Sequence, residues 1–114
     1  PDGGMNDLIR PALYAAWMPV LPVSANAESK ALFDVVGPVC ESSDWLARNR
    51  ALPAQAGELL AVTMAGAYGM SMASRYNSRR LPAEILVDGS HDLLIRRRDS
   101  LEDLWANEIV PQNL

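Results

Sequence analysis

Two short apolar runs, Ala83 to Val87 and Leu93 to Arg97, flank Asp88-Gly89-Ser90-His91. An Asp-Gly pair between such runs is a strong short-range signal for a β-hairpin, so this part of the chain is committed to strands. Leu32-Phe33-Asp34-Val35-Val36 reads as another strand by its aromatic and β-branched content, and Gly37-Pro38 breaks it. Glu58 to Met64 is continuous in apolar character, as a strand buried on both faces is, although helix is also compatible with that run. Tyr14 to Val20 alternates loosely, and its prolines confine it to an edge or a bulge. Helical signals are shorter. Asn6 or Asp7 caps one turn ending near Arg10-Pro11, and Asp44 caps another over Trp45-Leu46-Ala47. Gly66 to Ser74 is rich in small residues and reads as a helix packed closely on a neighbour. Ser100 before Leu101-Glu102-Asp103 makes an approximate capping box, opening a terminal helix to Asn107. The predicted class is mainly β with short helices, an α+β chain.

With 114 residues and 49% hydrophobic content, the chain has the size and apolar fraction of one small globular domain, residues 1–114. Fourteen acidic against ten basic residues give a net charge of −4. That balance argues against nucleic acid, whose phosphates require a concentrated basic surface. Arg79-Arg80 and Arg96-Arg97-Arg98 read as solvated strand ends or salt-bridging edges. No apolar run reaches the roughly 18 residues needed to span a bilayer, because Pro19 and Pro22 interrupt the first and Gly66 and Gly69 the second. The single cysteine excludes an internal disulfide, and no secretory apolar region opens the chain, which together point to a reducing, cytoplasmic setting. Pro1-Asp2-Gly3-Gly4 looks like a turn leaving a strand that is not present, which predicts a domain incomplete at its amino end.

Candidate chemistry centres on Val39-Cys40-Glu41-Ser42-Ser43-Asp44, placed where a strand has just ended. Taken alone, Cys40 reads as an inert packing residue sooner than as a nucleophile. Cys40, His91 and Asp92 supply the residue types of a thiol-hydrolase triad, but His91 falls in the hairpin turn and no oxyanion-hole motif accompanies it. One Cys and one His without a second ligand pair do not make a tetrahedral metal site. Gly66-Ala67-Tyr68-Gly69 admits a phosphate beside backbone N–H groups as readily as it admits close helix packing.

Three segments carry a resemblance that none carries singly: Gly4-Met5-Asn6-Asp7-Leu8-Ile9-Arg10-Pro11-Ala12-Leu13-Tyr14, Gly37-Pro38-Val39-Cys40-Glu41-Ser42-Ser43-Asp44, and Ala65-Gly66-Ala67-Tyr68-Gly69 leading to Tyr76-Asn77-Ser78-Arg79. In order and spacing, from Asp2 to Glu108, the chain resembles the carboxy-terminal portion of the diaminopimelate decarboxylase family. That family belongs to the alanine racemase-like and ornithine decarboxylase-like pyridoxal-phosphate enzymes, which join an amino-terminal (β/α)8 barrel to a carboxy-terminal β-domain. The resemblance implies part of that β-barrel or sandwich domain, without the (β/α)8 barrel.

It also implies a chemistry. The family decarboxylates meso-2,6-diaminopimelate to L-lysine, using pyridoxal 5'-phosphate as electron sink, in lysine biosynthesis. Arg10 matches the arginine that engages the substrate's distal carboxylate together with Tyr14, and a guanidinium fork suits a carboxylate in bidentate fashion. Glu41 matches the residue pairing with the distal ammonium, Cys40 the residue that reprotonates the substrate carbanion, and Tyr68 a tyrosine lying against the cofactor and its phosphate region. Cys40 and Glu41 are implied to reach into the partner subunit's active site, so a homodimer is part of the mechanism.

The only lysine is Lys30, in the polar stretch Asn26-Ala27-Glu28-Ser29-Lys30, which reads as a solvated loop rather than a cofactor anchor. The family's anchoring lysine and glycine-rich phosphate loop lie in the barrel domain, so the chain by itself is expected to be inert. The alternative to a piece of such an enzyme is a non-catalytic binding or assembly module derived from the same domain. A charge-selective set of Arg10, Tyr14, Cys40, Glu41 and Tyr68 favours the first.

Overall fold

The computed structural model describes residues 1–24 and 31–112. The chain divides into two compact units, Pro1–Ala73 and Ser74–Leu114. The sheet character expected from the sequence is present: among the described residues six strands form three two-stranded antiparallel sheets, accompanied by two short α-helices and two single 3-10 turns.

The first unit holds α1 (Arg10–Tyr14), β1 (Val20–Pro22), β2 (Leu32–Val36), β3 (Trp45–Ala51), β4 (Leu60–Val62) and α2 (Gly69–Met72). β2 has the bounds that its β-branched content predicts, and it pairs with β3 from Leu32 opposite Ala51 to Val36 opposite Trp45. The ladder is irregular between Phe33 and Val36. There the Asn49 N–H donates to Asp34 Oδ1 at 2.9 Å, and Asn49 takes a positive φ of 51°, a conformation asparagine tolerates better than most residues. β1 pairs with β4, Val20 opposite Val62 and Pro22 opposite Leu60. The buried core gathers Leu8, Met18, Val20, Val35, Leu46, Ala47 and Leu52, with Leu60 and Val62 packed against it. Arginines stack on tryptophans at its edges: Arg50 lies 4.2 Å from the Trp17 ring centroid and Arg48 lies 4.4 Å from that of Trp45.

Several local expectations give way to longer-range pairing. The turn before Arg10 is real, since Gly4 O accepts from both Asp7 and Leu8 N–H, but Arg10-Pro11 opens helix α1 rather than ending a turn. Pro11 is tolerated there because first-turn N–H groups have no partner within the helix. Tyr14 therefore closes a helix, with Ala15 in the left-handed region (φ 52°), and the strand expected over Tyr14 to Val20 begins only at Val20. Trp45-Leu46-Ala47 is not a helical turn capped by Asp44 but the start of β3, because pairing with β2 satisfies its backbone and buries Leu46 and Ala47. The Glu58 to Met64 run is neither helix nor a strand buried on both faces. Only Leu60–Val62 is extended, half-buried beside β1 alone, and Met64 follows with φ 59°. The Gly66 to Ser74 helix shrinks to the four residues of α2, none of them buried, and a Cβ on Gly66 or Gly69 would meet nothing within 4 Å. Close packing is thus not what those glycines serve. The expected solvated loop at Lys30 lies outside the described residues.

The second unit is built on the expected hairpin, β5 (Glu84–Asp88) and β6 (His91–Arg96), with Asp88 opposite His91 as the closing pair. Gly89 occupies the first turn position with φ 58°, which explains the glycine. The arginine cluster pairs as a salt-bridging edge should. Arg96 meets Glu84 across the hairpin, Arg97 grips Asp103, and Arg75 Nε lies 2.7 Å from Asp99 Oδ2. Ser100 donates its N–H to Asp103 Oδ2 at 2.7 Å, one half of the expected capping box, but the terminal helix expected to reach Asn107 is only a 3-10 turn, Glu102–Leu104. Ile85, Val87, Leu94 and Ile95 stand exposed on the hairpin. Among the described residues no helix is long and apolar enough to cross a membrane.

Candidate functional site

All five residues singled out from the sequence lie in the first unit. Arg10 and Tyr14 open and close α1, and a separation of four residues puts them on one helix face. Tyr68 immediately precedes α2, its carbonyl accepting from the Met72 N–H at 3.2 Å. The fold brings the first and third motif segments into contact here, with the Arg10 guanidinium 5.2 Å from the Tyr68 ring centroid. Tyr14 and Tyr68 are more than half exposed, at 62% and 55%, so both phenols are open to a ligand.

Cys40 and Glu41 form the tip of the loop between β2 and β3, and both are exposed. Exposure removes the inert-packing reading of Cys40. The loop is wound tightly beneath them: Glu41 N–H donates to Val39 O at 2.8 Å, Asp44 N–H to Glu41 O at 3.1 Å, and Gly37 N–H to Asp44 O at 3.0 Å. The Cys40 thiol makes no hydrogen bond among the described residues. His91, the other member of the weighed triad, is an exposed residue of the second unit's hairpin. An apolar groove over Leu8, Val20, Val35, Leu46 and Leu60 is lined by none of the five candidates.

Sequence reasoning missed Asp44 as part of this site. Its carboxylate is buried, and it accepts the Met5 N–H on Oδ1 at 2.7 Å and the Val39 N–H on Oδ2 at 2.6 Å. Backbone of the segment before Arg10 is thereby tied to backbone of the segment before Cys40. Gly4 and Gly37 were the available signal. A Cβ on Gly37 would fall 2.4 Å from Asp44 Oδ2, and one on Gly4 would fall 3.0 Å from Oδ1, so both glycines make room for the carboxylate. The motif set thus places a cation and two phenols on one face, and a thiol and a carboxylate on a loop tip.

Small β-sheets displaying such a set define a class rather than a single activity, and comparison supplies the class. The profile of the pyridoxal-dependent decarboxylase C-terminal sheet domain matches residues 1–66, and the chain belongs to this family. Within it, the chain is 55% identical over 108 residues to the diaminopimelate decarboxylase of Haemophilus influenzae, covering 94% of this chain and 26% of that protein. The crystal structure of diaminopimelate decarboxylase from M. jannaschii superposes with a TM-score of 0.92 at 40% identity, covering 99% of this chain and 26% of that one. A structure of diaminopimelate decarboxylase from M. jannaschii in co-complex with L-lysine gives a TM-score of 0.91 at 40% identity, over 96% of this chain and 25% of that one. The chain spans about a quarter of the length of the relatives it matches.

Proposed function

We propose that residues 1–114 are the carboxy-terminal β-domain of a diaminopimelate decarboxylase, which in full-length form removes one carboxylate of meso-2,6-diaminopimelate as CO2 and leaves L-lysine, a step of lysine biosynthesis. The observation that carries this reading is the placement of Arg10 against Tyr68, with Tyr14 on the same helix face, in a chain 55% identical to a relative of that name.

Pyridoxal 5'-phosphate, when bound, supplies the electron sink for loss of the carboxylate. Tyr68 fits it on one structural ground: its phenol is more than half exposed and offers an O–H donor to an anionic, phosphate-bearing ring. The lysine that anchors the cofactor comes from outside this chain. The chain's own residues do four things. Arg10 holds the distal carboxylate of the substrate in its planar fork. Tyr14 adds a directional O–H donor to the same group. Glu41 pairs with the distal ammonium, so that Arg10 and Glu41 together read the charge and handedness of the far end. Cys40 delivers a proton from Sγ to the carbon that has lost CO2. The last two residues act in the active site of a partner subunit, in a cytoplasmic homodimer, and the chain by itself is inactive.

The test is substrate choice by the full-length protein. Offered meso-diaminopimelate, L-ornithine and L-arginine at equal concentration, it is expected to decarboxylate the first alone, because only that substrate carries a distal carboxylate and ammonium on one carbon. Turnover of ornithine or arginine in preference would contradict the assignment of Arg10 and Glu41.

A further inference from the structure

We propose that Val36, Trp45 and Arg48 form a docking platform for a second copy of this chain, at the base of the loop that carries Cys40 and Glu41. The inference rests on the reading above, in which that loop acts in the active site of a partner subunit, and on geometry for the platform itself.

Val36 ends β2, Trp45 opens β3, and the two stand directly opposite each other. A directly opposite pair projects from one face of its sheet. That face is the solvent side, since Val36 is 55% exposed while its neighbour Val35 is buried in the core. Strict alternation would send Arg48, three residues on, to the face opposite Trp45. The ladder prevents this. Val35 lies opposite Ala47 and Val36 opposite Trp45, which leaves Leu46 as an extra residue in β3. Leu46 and Ala47 both turn into the core, and Arg48 returns to the Trp45 side with its guanidinium 4.4 Å from the ring centroid. Tryptophan and arginine are the residue types most enriched where interface energy is concentrated. Among the described residues Arg48 is exposed and has no carboxylate partner, and a second copy, with fourteen acidic against ten basic residues, offers carboxylates in surplus. Position names the occupant. Cys40 lies four residues after Val36 and Trp45 four after Glu41, so even fully extended chain keeps the platform within about 14 Å of the loop tip. An interface of ordinary size covers about 800 Å² on each partner, a patch of about 16 Å radius. A tip seated in the partner's site therefore brings the platform against that partner.

The test is the dimer dissociation constant of the full-length protein, read by sedimentation velocity over a dilution series. Trp45→Ala should raise it by about thirtyfold or more, because a two-fold interface loses the contact twice. Arg48→Glu should raise it by about tenfold. Trp45→Phe keeps an aromatic ring beneath Arg48 and should stay within about threefold of wild type. Activity supplies a second readout. With Cys40 and Glu41 acting across the interface, turnover per subunit in the Trp45→Ala and Arg48→Glu variants should fall on dilution and return at high protein concentration, which a merely misfolded subunit would not show. A dissociation constant within about twofold of wild type for Arg48→Glu, or for a folded Trp45→Ala, would overturn the platform. If Trp45→Ala does not fold, Arg48→Glu decides alone. A folded Trp45→Ala dimer with a lowered melting temperature and unchanged dissociation would assign this face to the rest of its own subunit, and a monomeric wild type would likewise overturn the proposal. A dimeric wild type inactive on meso-diaminopimelate would overturn the functional reading alone, since the dissociation constants decide for or against the platform without it.

Discussion

Arg10, Cys40 and Glu41 illustrate how much chemistry single side chains bring to a surface that has little shape of its own. Arg10 lies over the Tyr68 ring, with its guanidinium 5.2 Å from the ring centroid. Arg10→Lys keeps the charge and discards the fork, so in the full-length protein kcat/KM for meso-diaminopimelate should drop by about tenfold, with most of the change in KM. A variant with unchanged KM would show that Arg10 does not hold the distal carboxylate. Glu41→Gln removes a counter-charge and should cost on the order of 2 kcal/mol, about thirtyfold in kcat/KM. Unchanged substrate preference would reduce Glu41 to a surface carboxylate. Cys40→Ala separates chemistry from binding: loss of a proton donor lowers kcat with little change in KM, and an unchanged kcat in a folded variant would remove the assigned role. These residues were singled out from the sequence because each sits in a motif that carries the family resemblance. Asp44 was not. Its type suggested a helix cap, and what claims it is an N–H 39 residues away, which no local pattern encodes.

At the scale of elements, the accuracy of sequence reading follows the range of the interactions that decide each element. The hairpin of β5 and β6 and the strand β2 are fixed by turn chemistry and β-branched content, and both stand where the pattern puts them. Trp45-Leu46-Ala47 was misread as a helical turn because its strand character comes from pairing with β2, and the Gly66 to Ser74 segment was overread because small residues indicate close packing only where a neighbour exists. Gly89→Ala tests the hairpin turn. The added methyl meets nothing within 4 Å, so its cost is backbone alone, about 1 kcal/mol for a φ of 58°, read as a lowered melting temperature. A neutral effect would mean the turn can relax. The turn after β6 carries a pH dependence of defined sign. The Arg97 guanidinium first, and then the Ser100 N–H, hold the Asp103 carboxyl well below the usual carboxylate range. A carboxyl lowered on folding stabilises the turn fully above its unfolded value, near about 3.9, and that contribution is lost as pH falls through the lower folded value. An NMR titration of the Asp103 side-chain carbon should therefore show a midpoint below the ordinary range, and Arg97→Ala should return it upward. A midpoint at the ordinary value in the parent protein would contradict the ion pair.

For the whole molecule, the sheet character was readable from turn and strand patterns and the family from three motifs in order, while the division into two compact units was not read, although charged residues become denser after Ala73. The chain matches about a quarter of its relatives' length, so the reaction proposed above belongs to the full-length protein. The most direct measurement is the product balance of the full-length protein with pyridoxal 5'-phosphate and meso-diaminopimelate labelled in its carboxylates. The account predicts one CO2 and one L-lysine for each substrate consumed, with release abolished when the cofactor is removed. Absence of CO2 release from a folded, cofactor-loaded protein, or a decarboxylated product other than L-lysine, would contradict it.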